Sequence, residues 1–167
     1  MIPVVARPVT AENFARYGKV YDLAEATDAG VVWTKGDGWD DGFTRTPLID
    51  SPGHLGMTRG SSAPWSCAAM ERHPLTEEAL FCTAEPIVLA VAPASEADAP
   101  DQSEIEAFII VPGQTVVMHK NVWHDACRGA TRATPYYWMA VCGLGESPWI
   151  QVKGGPRQVQ INDGPAA

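Results

Sequence analysis

An all-β fold, a barrel or sandwich, is what this sequence predicts, and three observations carry the prediction. Short apolar, β-branched or aromatic runs recur along the chain, Gly and Pro fall between them, and there is little helical periodicity. Taken in order, Thr10 to Gly18 reads as one short helix: Thr10 caps the free amides, Phe14 and Tyr17 share a face at i,i+3, and Gly18 suits a left-handed stop. Residues 28 to 45, rich in Gly, Asp and Trp, read as a long loop or irregular hairpin over a barrel mouth. Trp33 and Trp39 are placed there to cover apolar surface, and a segment of that length suits a lid. Strand-like runs then follow at Leu55 to Thr58, Ser66 to His73, Ala79 to Cys82, Ile87 to Val91, Glu106 to Val111, Thr115 to His119, Tyr136 to Val141 and Trp149 to Val152. The acidic, Pro- and Ala-rich stretch Pro93 to Glu104 reads as an exposed loop between two of them. Neither a repeat nor a composition break divides the chain, so residues 1–167 are expected to form a single domain.

Composition narrows the function. The 12 Lys and Arg are outnumbered by 20 Asp and Glu, and the net charge of −8 comes with no basic stripe, which argues against nucleic acid as a partner. No apolar run approaches the roughly 20 residues of a membrane-spanning helix. An acidic surface still permits an anionic small substrate, because screening over about 8 Å leaves a pocket's local charge in control. Cys67, Cys82, Cys127 and Cys142 are scattered without C-x-x-C spacing, and the N-terminus lacks a basic region followed by an apolar core. A cytoplasmic protein with reduced, mostly buried thiols is expected.

Two segments hold three of the four histidines: Glu71-Arg72-His73-Pro74-Leu75-Thr76-Glu77-Glu78 and Gly113 to His124. On an extended strand Glu71 and His73 face one way and Arg72 the other, and a turn at Pro74-Leu75-Thr76 returns Glu78 toward the same interior. In the second segment, alternation puts Thr115, Val117 and His119 on one face and Val116 and Met118 on the other. His124 then enters after the Lys120-Asn121 turn. Imidazole nitrogens of His73 and His124 with carboxylate oxygens of Glu71 and Glu78 form a mixed set suited to a divalent transition metal, Mn, Fe, Ni or Zn, whose identity the ligand types leave open. The competing reading pairs Glu71 and Glu78 with Arg59 or Arg72 at the barrel edge and leaves the histidines bonded to backbone carbonyls; metal-free catalysis is a further alternative.

In order and spacing the first segment resembles the cupin motif H-x-H-x3–4-E and the second the cupin motif G-x5-P-x-G-x2-H. Glu71 stands for the first histidine, His119 for the proline and Asn121 for the second glycine. Within the cupins the chain resembles the ureidoglycolate lyase (ureidoglycolate hydrolase) family. The residues carrying this are Glu71-Arg72-His73-Pro74-Leu75, Pro100-Asp101-Gln102-Ser103 leading into Ala107-Phe108-Ile109, and Gly113-Gln114 followed by His119 and Trp123-His124. A weaker echo lies in Pro8, Thr10, Phe14 and Tyr17-Gly18-Lys19-Val20. The chain departs from the family where Glu78 replaces a glutamine and Asp125 a second histidine. Tyr136 to Cys142 also runs into Gly143 without the family's Asp-Arg pair, and so without an arginine clamp for a carboxylate.

The resemblance implies a cupin-type double-stranded β-helix, or jelly-roll barrel, with a short N-terminal helix. It also implies cleavage of a carbinol C–N bond, ureidoglycolate giving glyoxylate and urea, and a homodimer. That chemistry asks for a base, an acid and a cation for the carboxylate. The expected roles are His119 as general base, a metal on Glu71, His73, Glu78 and His124 as Lewis acid, and Arg59 or Lys120 as partner of a small-molecule carboxylate substrate; no organic cofactor is expected. Other classes stay open: a cupin lyase, hydrolase or isomerase acting on another small hydroxy acid or sugar acid, or a non-catalytic cupin that binds a small acid.

Overall fold

The computed structural model describes residues 2–162. Its strands in chain order are β1 (Val4–Pro8), then, after helix α1 (Ala11–Phe14), β2 (Gly18–Asp22), β3 (Val31–Gly36), β4 (Trp39–Thr44), β5 (His54–Gly60), β6 (Trp65–Cys67), β7 (Ala69–Met70), β8 (Glu78–Phe81) and β9 (Ile87–Ala92). After a 3-10 turn at Gln102–Glu104 come β10 (Glu106–Ile110), β11 (Gln114–Met118), β12 (Trp123–His124), β13 (Arg128–Gly129), β14 (Thr134–Ala140), β15 (Ile150–Gln151) and β16 (Arg157–Ile161). One sheet runs β12-β9-β10-β1-β16-β6, with β13 also on β9; a second runs β2-β11-β8-β14-β5.

The two sheets face each other across the main core, which joins Ile87, Leu89 and Val91 of β9 and Phe108 and Ile110 of β10 to Leu80 of β8 and Val116 and Met118 of β11. The alternate residues of β9, Val88, Ala90 and Ala92, join Trp65 and Cys67 of β6 and Val159 of β16 in another cluster, so the larger sheet curls around a filled interior. All six residues of β9 are buried, which is why its sequence reads as a continuous apolar run and not as an alternation. A nearly all-β pair of curled sheets is the jelly-roll arrangement expected of a cupin barrel.

The short helix is present but ends at Phe14. Thr10 and Asn13 form a reciprocal capping box, and Phe14 and Tyr17 pack on each other and on Phe108. Gly18 is not a left-handed stop. It begins β2 against β11, where a Cβ would lie 1.8 Å from the Val117 carbonyl oxygen, so the glycine answers a close strand approach. Residues 28 to 45 form the β3-β4 hairpin, whose Val31 and Trp33 join Tyr21, Ala79 and Val117 on the outer face of the smaller sheet. The hairpin contributes nothing to the lining of the main cavity, which corrects its reading as a cover for the mouth. No helix among the described residues is long and apolar enough to cross a membrane.

Candidate active site

Backbone pairing brings the two histidine segments together. Glu71 N–H donates to the His124 carbonyl at 3.0 Å, His124 N–H to the Glu71 carbonyl at 2.9 Å, and Asn121 N–H to the His73 carbonyl at 3.0 Å. The turn between β11 and β12 that makes this possible puts Asn121 at φ +66°, a conformation that Asn tolerates better than other residues with side chains. Glu78 reaches the same point from the middle of the smaller sheet. It opens β8 two residues before Leu80, and both face the main core side.

The side chains converge accordingly. Glu78 Oε2 lies 3.1 Å from His73 Nε2 and 3.0 Å from His124 Nε2, and Glu71 Oε1 is 3.8 Å from His124 Nε2. Ser147 Oγ holds His73 at Nδ1 (2.9 Å), and the Val122 carbonyl oxygen lies 3.2 Å from His124 Nδ1. Both other nitrogens are thereby turned toward the carboxylates. Burial pushes the Glu78 carboxyl up, but the attraction of His124 and then of His73, at 3.0 and 3.1 Å, outweighs it and holds the group down at about 2. His124 answers in the opposite sense: burial favours its neutral form, yet Glu78 and then Glu71 raise it above its ordinary value. Burial raises Glu71 above the usual carboxylate range, against the pull of His124 and His73.

The donor set fits a divalent metal. Ligand atoms of Glu71, His73 and His124 lie within 4.8 Å of one another. His124 Nε2 and Glu78 Oε2, although 3.0 Å apart, are both buried without a hydrogen bond of acceptable geometry. Two buried polar atoms aimed at a common point without a hydrogen bond are the mark of a missing shared partner. Separations near 3.0 Å also suit neighbouring nitrogen and oxygen donors that would share one ion.

Above the cluster opens a cavity of about 340 Å³ lined by Glu71, His73, Glu78, Thr58, Tyr136 and Trp138, and closed on one side by the loop from Val141 to Ser147. That is the size of a small-molecule site. A family model described as ureidoglycolate lyase matches residues 1–151. The chain belongs to the ureidoglycolate lyase family. Relatives include a provisionally named ureidoglycolate lyase of Agrobacterium fabrum (strain C58), 31% identical over 74% of each chain. A ureidoglycolate lyase of Mesorhizobium japonicum is 29% identical over 74% of this chain and 77% of its own. The ureidoglycolate lyase 2 of Rhizobium meliloti (strain 1021) is 30% identical over the same shares. Membership of this family makes the protein a lyase-family enzyme, and the cupin reading agrees with it.

In this ureidoglycolate lyase-family chain Glu71, His73, Glu78 and His124 are brought together, and Arg59, His119 and Lys120 are not. On β11 it is Val116 and Met118 that face the main core, while Val117 faces the outer cluster. His119 follows the outer face, is exposed, and serves through its backbone, accepting from Val122 N–H and donating to the Tyr17 carbonyl. The expectation that Thr115, Val117 and His119 point into the cavity is thus corrected by one step of strand alternation. Arg59 is turned outward by the same rule, since its neighbour Thr58 lines the cavity. Lys120 is exposed and paired with Asp50 at 2.7 Å. Nor do Glu71 and Glu78 pair with Arg59 or Arg72 among the described residues. Arg72 donates to the Ser95 carbonyl at 2.6 Å and lies 4.3 Å over the Trp123 ring. Asp125, in place of a family histidine, is a buried acceptor for Trp65 Nε1 at 2.8 Å.

Thr58, Tyr136, Trp138 and Ser147 were not among the expected site residues. Tyr136, Trp138 and Ala140 all line the cavity at spacing two on β14, a strand signal present in the sequence. Ser147 lies in a loop whose path only the fold defines.

Proposed function

We propose that this protein cleaves the carbinol C–N bond of ureidoglycolate, releasing glyoxylate and urea, at the cavity floored by Glu71, His73, Glu78 and His124. What carries the reading is the convergence of two imidazole Nε2 atoms on Glu78 Oε2 beside Glu71, at the base of a cavity sized for a small acid, in a chain of this family. The four side chains would hold a divalent transition metal, Mn, Fe, Ni or Zn, with Glu71 the loosest of them. When bound, such an ion supplies Lewis-acid stabilisation of the negative charge that develops on the substrate.

The residues do the rest. Ser147 and the Val122 carbonyl fix the two imidazole rings, so Nε2 of each points at the reacting region. Glu71 lines the cavity and is the least constrained carboxylate of the cluster, which makes it the proton-transfer group. It takes the proton from the carbinol hydroxyl; the C–O bond becomes the aldehyde carbonyl of glyoxylate; the C–N electron pair leaves on urea nitrogen, which receives that proton. Leu75, Trp138 and Ala140 supply apolar wall that limits water.

The same proposal takes the enzyme as one cytoplasmic domain and a homodimer. Four free thiols suit a reducing compartment, and edge strand β5 exposes Leu55 and Met57 for pairing between copies. Light scattering at twice the chain mass is the expected result for the dimer. For the reaction, protein purified without chelator and given ureidoglycolate should release urea and glyoxylate in equal amounts. Ammonia in place of urea, or no turnover, would refute the assignment.

A further inference from the structure

The cavity carries three carboxylates, Glu71, Glu78 and Glu146, and no Lys or Arg in its lining. A substrate carboxylate therefore finds no cationic side chain there, and its oxygens must be met by neutral donors in addition to whatever the cluster holds. Two hydroxyls in the lining are oriented for this from behind.

Thr58 is the first. Trp138 Nε1 donates to Thr58 Oγ1 at 3.2 Å, which occupies one acceptor position of the hydroxyl. The indole reaches it because residue 56, paired with Trp138 across the strands, is glycine. A Cβ there would lie 2.0 Å from the Trp138 ring, so the bare backbone lets the ring cross β5. Ser147 is the second. His73 Nδ1 lies 2.9 Å from Ser147 Oγ, and were Nε2 taken up by the metal proposed above, the ring proton would lie on Nδ1 and donate to that hydroxyl. In each case an N–H fills a lone pair, and the hydroxyl proton is left to donate forward.

We infer that Thr58 and Ser147 are the substrate-binding donors of this cavity, two pre-oriented neutral hydroxyls that hold an anionic oxygen where a guanidinium would otherwise be needed. The inference rests on the reading of the ligand as a small 2-hydroxy acid. Trp138 and His73 act on the substrate's carboxylate end through these hydroxyls, and in that respect are positioning residues.

The test uses glycolate, an unreactive 2-hydroxy acid, titrated calorimetrically into protein purified without chelator, together with ureidoglycolate kinetics. Thr58→Val and Ser147→Ala should each weaken glycolate binding by about tenfold, the scale of one hydrogen bond to a charged group. In Thr58→Val, KM for ureidoglycolate should rise in parallel while kcat stays within about threefold; Ser147→Ala, which also frees the His73 ring, should lower kcat as well. Thr58→Ser should restore binding, which a purely packing role for the threonine would not allow. Should Thr58→Val fail to fold, Ser147→Ala, in a loop, decides alone. Glycolate binding unchanged in both variants overturns the inference, as does a wild-type protein that does not bind glycolate. A wild type that binds glycolate through these hydroxyls but leaves ureidoglycolate intact overturns the reaction assigned above and supports the donor pair.

Discussion

Replacing Glu78 by Gln keeps shape and removes only the charge that ties the two histidines together, so the cost follows from the carboxylate's own titration. The carboxyl falls from its ordinary 4.5 to about 2 on folding. That difference is worth about 3 kcal/mol at neutral pH, at roughly 1.4 kcal/mol per pH unit, and the side chain is only 11% exposed, so little is lost to solvent screening. Because the folded value lies below the unfolded one, this stability is fully present above about 4.5 and is lost as pH falls toward 2. In metal-free protein Glu78→Gln should lower Tm by about 6–12 °C at pH 7, given roughly 2–4 °C per kcal/mol for a chain of this size. The gap between variant and wild type should close below pH 4.5. Differential scanning calorimetry of chelator-stripped protein across pH 3–7 measures both. Equal stability at pH 7, or a difference that ignores pH, would refute the claim that Glu78 is an ionised partner of His73 and His124.

Removing the acceptor for the buried Trp65 indole with Asp125→Ala should cost about 2–4 kcal/mol in urea unfolding, since it orphans a buried N–H and frees the Arg128 guanidinium 3.7 Å away. Arg59→Ala and His119→Asn, altering exposed side chains outside the cavity, should leave ureidoglycolate turnover within about threefold in steady-state assays, and a hundredfold loss in either would return that residue to the mechanism. Because Glu78 and Glu71 raise His124 above its ordinary value and a metal ligand must be deprotonated, metal affinity should climb with pH through the His124 titration, with protons released on binding. Calorimetry in buffers of different ionisation enthalpy measures that release, and an affinity that ignores pH in titrations at several pH values would count against His124 as a ligand.

The fold was legible because its signals are local and repeated: most of the expected strands from Leu55 onward recur within a few residues of their observed bounds. β1, β2 and β16 are harder to see, since only some of their residues are buried and they gain their identity from distant partners, β10, β11 and β6. The Glu-His cluster was legible from motif order, and the paired backbones of Glu71 and His124 explain why two segments fifty residues apart in sequence act as one. The cavity's other walls were not. Facing is a property of register: one step along β11 separates inward Met118 from outward His119, and one step along β5 separates Thr58 in the cavity wall from Arg59 outside it. No rule of spacing foretells that the loop after β14 returns Ser147 to His73.

The most direct test of the account is ureidoglycolate turnover before and after metal removal, with metal content measured on the same samples. Wild-type protein should lose cleavage when stripped by chelator and regain it at about one divalent metal per chain, while His73→Ala and His124→Ala should neither retain the metal nor recover. Stripped wild-type protein that releases glyoxylate and urea at the untreated rate would contradict the proposal that Glu71, His73, Glu78 and His124 work by holding a metal.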